Sequence, residues 1–306
     1  MTGAALTDPA GAAPATHALL LAGHGSPDAA GAAECLELAE RVRGLAPGLP
    51  VAVGFIEHSR PPLSAAAAEL VAAGARHVAV VPLVLLGAGH AKTDVPASVR
   101  LARQAFPGVR FAYGVPLGLH ADLLAILDER LDAAVPAARR RDTAVLLVGR
   151  GSSDPDANAD LHKLARLLWE GRDWPLAETA FVGITRPQVP EGLDRCRRLG
   201  ARRIAVVPYF LFTGVLERRI DGQAAAFTAR HPELDVVVTA HLGPDERIAG
   251  LALARYRQTL AGTAAMTCDL CVYRAPMPGF EALVGSAQAP HAHPDDPHTH
   301  DHHRHG

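Results

Sequence analysis

The sequence predicts an α/β protein made of two tandem homologous domains, each a parallel four-stranded sheet flanked by helices. Three observations carry this. The chain repeats itself: "ALLLAGHGS" at 18–26 recurs as "AVLLVGRGS" at 144–152, and "GARHVAVVP" at 74–82 as "GARRIAVVP" at 200–208, both pairs 126 residues apart. A common offset across separated segments marks a duplicated domain, because solenoid repeats are far shorter. Short apolar runs alternate with Ala/Leu/Arg-rich segments of helical period. Those runs are rich in Val, Leu and Ile with little polar alternation, the pattern of strands buried on both faces of a parallel sheet.

In the first copy the strands are expected at 17–22, 50–56, 77–84 and 109–114, and the helices at 29–46, 62–74, 92–105 and 120–135. The second copy repeats that order from 143 to 261. The expected organisation is a disordered N-terminus at 1–16, a catalytic domain at 17–138, a non-catalytic repeat at 139–262, a segment with paired cysteines at 263–285 and a His-rich disordered tail at 286–306.

Composition bounds the function. The 306 residues are 49% hydrophobic, enough for two cores, and the formal charge of -2 comes with no long basic stretch, which argues against a nucleic-acid partner. The N-terminus lacks the positive region of a signal peptide, and no apolar run approaches the ~18 residues of a membrane span. Four cysteines, two of them a close pair, fit a reducing cytoplasm better than a disulfide framework.

Ligands of such sheets bind at the carboxyl ends of the strands. Three residues stand there in the first copy: His24 after strand one, Glu57 after strand two in "VGFIEHSRPP", and His90 after strand three in "VPLVLLGAGHAKTD". Two imidazoles and a carboxylate suit a borderline divalent metal with positions left open for exchange. The second copy acts as an internal control. His24 aligns with Arg150, His90 with Leu216, and Glu57 with Arg186 if the register shifts by three residues, so the three groups vanish while the turn and strand residues persist. That contrast points to chemistry in the first half and a supporting or binding role in the second. The turn "GHGSPD" lacks the third glycine of a dinucleotide fingerprint, and Ala22 precedes its Gly23 where a histidine-phosphatase motif would need an arginine near the histidine.

The G-H-G-S turn, the segment "FIEHSRP" at 55–61 and the segment "PLVLLGAGH" at 82–90 together resemble the class II tetrapyrrole chelatases, in particular the long-form sirohydrochlorin cobaltochelatases of the CbiX type. The equal spacing 24–57–90 is also similar to that family. The resemblance covers about residues 17 to 261. It implies two chelatase-like domains and insertion of Co2+, with Fe2+ or Ni2+ as other ions the donors would accept, into sirohydrochlorin in cobalamin synthesis. Chelation replaces two pyrrole N–H protons by a metal, so the site needs a metal holder and a proton acceptor, and neutral imidazoles supply both. His24, Glu57 and His90 would be catalytic and metal-handling. A polycarboxylate macrocycle calls for cationic or hydroxyl donors, for which Ser26, Arg60, Lys92, Arg150 and Arg186 are the candidates. Two other readings stand beside this one: a sirohydrochlorin ferrochelatase, and a cobalt or nickel chaperone or storage protein. A homodimer is left open.

Cys268 and Cys271 form C-x-x-C, which reads as a redox pair, a zinc half-site, iron–sulfur ligands or a structural pair; the strand–helix context that a thioredoxin-like motif requires is missing. "MTCDLC" is similar to the M-x-C-x-x-C segment of the long-form chelatases, which implies an iron–sulfur cluster. Such clusters take four ligands, and Cys35 and Cys196 fall within expected helices, so they need not be the missing pair. Seven of the sixteen histidines (His291, His293, His298, His300, His302, His303 and His305) crowd the last stretch, whose composition binds Co2+, Ni2+ or Zn2+ without choosing among them.

Overall fold

The computed structural model describes residues 16–262. The expectations for Cys268, Cys271 and the tail histidines lie outside the described residues. In the first copy β1 (His17–Gly23), β2 (Val51–Phe55), β3 (His77–Pro82) and β4 (Arg110–Tyr113) form an all-parallel sheet in the order β2-β1-β3-β4. The helices between and after them are α1 (Ala29–Leu45), α2 (Leu63–Ala72), α3 (Val95–Ala105) and α4 (Ala121–Ala134). The second copy gives β5 (Thr143–Gly149), β6 (Ala177–Phe181), β7 (Arg203–Pro208) and β8 (Asp235–Val238) in the order β6-β5-β7-β8, with α5 (Pro155–Trp169), α6 (Val189–Arg198), α7 (Val215–Arg230) and α8 (Glu246–Leu260).

The unalternated strands are explained by two cores, one per sheet face. In β1, Leu19 and Leu21 join a central core, whereas Ala18, Leu20 and Ala22 join an outer core with residues of α2 and α3. The central core runs through both copies, from Leu19 and Leu127 to Leu147 and Leu251. It does so because the last helix of each copy crosses over: α8 packs on β3, β4 and α1, and α4 packs on β7 and α5. The expected boundary near 138–139 falls in a short 3-10 turn, Ala137–Asp142, while the packing runs across it.

Charged clamps hold the crossed helices. Arg247, at the start of α8, donates from Nη1 and Nη2 to the Glu129 carboxylate of α4 at 2.6 and 2.7 Å. That contact holds the Glu129 carboxyl below its ordinary value, and Arg247 lowers Asp245 in the same way. A depressed carboxylate contributes stability above the ordinary carboxylate range of about pH 4–5 and loses it as pH falls through the lowered folded value. Glu129→Gln therefore lowers the urea midpoint slightly at neutral pH, as expected of an exposed pair, and the gap to wild type narrows toward pH 3. An equal gap at both pH values would contradict this assignment.

The structure also corrects the register between the copies. Phe55 bridges Pro62 and Phe181 bridges Gln188, and both Arg60–Pro61 and Arg186–Pro187 are cis. Arg60 is thus the counterpart of Arg186, and Glu57 that of Gly183, with no three-residue shift. The matching backbone bonds agree: Glu57 N–H donates to His24 O at 3.0 Å and Gly183 N–H to Arg150 O at 2.8 Å.

Candidate metal centre

The strand order turns outward on both sides of β1, so the crevice between β1 and β3 at their carboxyl ends is the switch point where ligands bind. The β1–α1 turn brings His24 there, the β2–α2 loop brings Glu57, and the segment after β3 brings His90. His24 Nε2 lies 3.0 Å from His90 Nε2 and 3.1 Å from Glu57 Oε1. Two donors bonded to one ion at ~2.0–2.1 Å stand roughly 3.3 Å apart at the tetrahedral angle, so these separations fit one metal. All three donor atoms lie within 4.8 Å of one another.

The outer nitrogens fix the chemistry of the inner ones. His90 Nδ1 donates to Asp94 Oδ2 at 2.5 Å, and His24 Nδ1 donates to the Gly25 carbonyl at 3.1 Å. Both partners only accept, so the hydrogen-bond network assigns the proton of each ring to Nδ1 and leaves both Nε2 lone pairs facing inward. Two Nε2 atoms and a carboxylate oxygen then converge on one position. A cation, whether a metal ion or a shared proton, is what stabilises such an arrangement.

The chain segment after β3 explains how His90 meets Asp94. Residues His90–Asp94 form a single wide π turn that runs into α3, with Val95 N–H donating back to His90 O. The helix expected from residue 92 is preceded by this turn, which starts at His90 itself and puts Asp94 one turn along from it. Thr93 Oγ1 donates to the other Asp94 oxygen at 3.2 Å. The His-x-x-x-Asp spacing is the signal that could have revealed this partner.

A scaffold common to both copies positions these groups. Ser26 N–H donates to Ser59 Oγ at 3.0 Å, which donates back to Ser26 O at 3.1 Å; Ser152 and Thr185 repeat the pair with both bonds at 2.9 Å. Asp28 caps α1 and Asp154 caps α5 in the same way. Gly25 is required: at φ +95 its added Cβ would stand 1.7 Å from Glu57 O. Gly25→Ala is expected to push the Glu57 loop away and to weaken Co2+ binding by at least about tenfold. Gly151→Ala shares the positive φ of +85, yet its nearest atom is the Thr185 hydroxyl at 2.9 Å, so it costs stability while leaving metal affinity nearly unchanged. Calorimetric titration of both variants with Co2+ checks the contrast.

The opposite wall comes from the second copy. Two chambers of roughly 270 and 210 Å3 flank the donors; His24, Arg150, Phe210 and Leu211 line both. Val84, Leu85 and Leu86 after β3 face their counterparts Phe210 and Leu211 after β7 in the smaller chamber, a mostly apolar slot suited to a flat ring system. Arg150 occupies the position equivalent to His24. Burial pulls its guanidinium below the ordinary arginine value, and the Glu57 carboxylate opposes that shift. Glu34 of α1 accepts from Thr213 N–H at 2.7 Å, and His241 bridges Glu34 and Glu217 at 3.0 and 2.9 Å, tying the two walls together. Nothing in the sequence joins Glu34 to Thr213, Glu217 and His241.

Of the basic and hydroxyl candidates, Ser26 and Arg150 line the crevice. The structure gives the others different places. Lys92 is buried in an ion pair with Asp154 Oδ2 at 2.7 Å and Asp156 Oδ2 at 3.0 Å, across the interface between the copies. Arg186 lies on the surface and pairs with Glu191 at the start of α6. Arg60 is exposed beside its cis proline, outside both chambers. Cys35 and Cys196 are buried in separate cores, where burial pushes each thiol up to about 12, so neither is placed to ligate a cluster. Among the described residues no helix is long and apolar enough to cross a membrane.

Fold and donors together define a duplicated α/β protein with a candidate divalent-metal site between its halves. The CbiX family model matches residues 18–134 and again 144–259, and the chain belongs to the CbiX family. It is 40% identical over 225 residues to a sirohydrochlorin cobaltochelatase of Priestia megaterium, covering 72% of each chain. A sirohydrochlorin ferrochelatase of the same organism is 34% identical over 203 residues, covering 66% of this chain and 76% of that protein. Among solved structures, SirB from Bacillus subtilis with Fe3+ superposes with a TM-score of 0.71 at 30% identity, covering 81% of this chain and 97% of SirB.

Proposed function

We propose that the chain is a sirohydrochlorin cobaltochelatase that inserts Co2+ into sirohydrochlorin for cobalamin synthesis. One observation supports this above the rest: two imidazole lone pairs and a carboxylate oxygen converge beside an apolar slot. His24, Glu57 and His90 hold the incoming dication with coordination positions left open, so the macrocycle nitrogens can displace the protein ligands one at a time. As the ion leaves, each Nε2 lone pair is freed and accepts one pyrrole proton. One dication departs and two protons arrive, so the charge at the site is conserved. Asp94 stabilises the imidazolium formed on His90.

The second copy binds the substrate. A guanidinium in a partly desolvated crevice attracts a carboxylate more strongly than one in water, which gives Arg150 the role of seating a substrate carboxylate, with Ser26 on the facing turn. The apolar loops after β3 and β7 cover the faces of the ring. The 40% identity to a cobaltochelatase supports cobalt over iron, although the donor set accepts either ion. Anaerobic absorbance of sirohydrochlorin mixed with the protein and Co2+ or Fe2+ tests the reading. Faster insertion of Co2+ is expected. Faster insertion of Fe2+ would favour the ferrochelatase reading, and no rate above the metal-only control would favour metal carriage.

A further inference from the structure

His58 is absent from the metal-handling set above, yet its geometry ties it to that set. Its Nε2 lies 3.6 Å from Glu57 Oε1, the same oxygen that stands 3.1 Å from His24 Nε2. Its ring lies nearly parallel to that of His24, at 26° with centroids 6.4 Å apart. Yet His58 is not among the donors that fall within 4.8 Å of one another, so it addresses a second position and not the inner one. The chambers agree: His24, Glu57 and His58 line the larger, whereas His24 and His90 line the smaller. Glu57 and His58, with side chains 36% and 27% exposed, are more open than His90 at 19%.

The backbone at His58 is held at some cost. Its φ is 61, and Ser59 N–H donates to Glu57 O at 2.6 Å, which makes Glu57–His58–Ser59 a γ-turn with its central residue in the left-handed region. Such turns are rare and strained for a residue with a side chain. The second copy makes the same loop with Ile184 at this position and no positive φ. The strained conformation therefore accompanies the copy that carries the metal donors and is not required by the loop.

We propose that Glu57 and His58 form an outer cation site at the mouth of the crevice, where a divalent transition-metal ion is first held before it passes to His24 and His90. Glu57 belongs to both positions, so the ion exchanges one imidazole for two others without ever leaving the carboxylate. Stepwise exchange of this kind avoids stripping all ligands at once. The charge is unchanged throughout, and no bond other than metal–ligand bonds forms or breaks. The proposal rests on the metal-insertion reading of the inner donors.

Two measurements test it on the full chain. His58→Asn removes the imidazole while tolerating the left-handed backbone. It is expected to raise the apparent KM for Co2+ roughly fivefold to twentyfold with kcat at saturating Co2+ within about twofold of wild type, the loss of one weak ligand on the approach path. Crystals of His90→Ala grown with Co2+ are expected to show anomalous cobalt density between Glu57 and His58, because the inner triangle is broken while the outer pair is intact. An unchanged KM in His58→Asn, or density absent from the outer pair in His90→Ala, would overturn the outer site while leaving the inner one standing. Wild-type crystals with cobalt bound only away from His24, Glu57, His58 and His90 would instead overturn the reading on which it rests.

Discussion

Replacing His24 and His90 together by alanine reduces cobalt insertion into sirohydrochlorin to the metal-only rate, a fall of roughly 10²–10⁴-fold if proton acceptance alone is lost. The same double variant is expected to lose little stability. The two Nε2 atoms stand 3.0 Å apart with a Glu57 oxygen 3.1 Å from His24, contacts that serve a cation more than they serve the core. Truncation leaves only a modest cavity, since the rings are part-exposed. Thermal melts in chelator together with the insertion assay check both halves of the expectation. A variant that melts well below wild type yet retains insertion would make these histidines structural.

Lys92→Met is expected to destabilise the protein by about 3–5 kcal/mol, the usual consequence of removing one partner from a buried ion pair. Lys92 is 5% exposed and Asp154 is fully buried. The Lys92 ammonium at 2.7 Å compensates the buried Asp154 Oδ2. Lys92 also lies inside the π turn that carries His90 and Asp94, so its loss loosens the donor set and lowers Co2+ affinity along with stability. Adding Asp154→Asn to Lys92→Met should recover part of the stability, because the uncompensated charge is then gone. The urea midpoint distinguishes this from a substrate-binding lysine. Unchanged stability with a raised KM for the tetrapyrrole would return Lys92 to the crevice wall.

That lysine shows what a sequence can and cannot display. The strand ends were legible because apolar runs and glycine turns are local, and the topology rule then placed His24, Glu57 and His90 together. The repeat made Arg150 legible as the counterpart of His24. Lys92, by contrast, looked like one more cation near a metal motif, since its partners lie in the other copy, at the cap of α5. The crossing of α4 and α8 is hidden for the same reason: an amphipathic helix shows which face it buries but not which sheet it meets. At Glu57 the residue types of the two copies diverge, so the register there is carried by the backbone. The cis prolines, the paired Ser59 and Thr185, and the backbone bonds of the two loops keep the spacing of 126 residues that the strands already had. Asp94 and His58 were within reach of local reading, one by its spacing from His90 and the other by its place beside Glu57.

The proposed seat of one divalent ion lies between His24, Glu57 and His90 at the junction of the two copies. Diffraction at the cobalt absorption edge from crystals of the full chain grown with Co2+ tests it most directly. An anomalous peak within bonding distance of His24 Nε2, His90 Nε2 and a Glu57 carboxylate oxygen is the predicted result. Cobalt found only elsewhere, with His24 and His90 still facing each other and no ion between them, would contradict it.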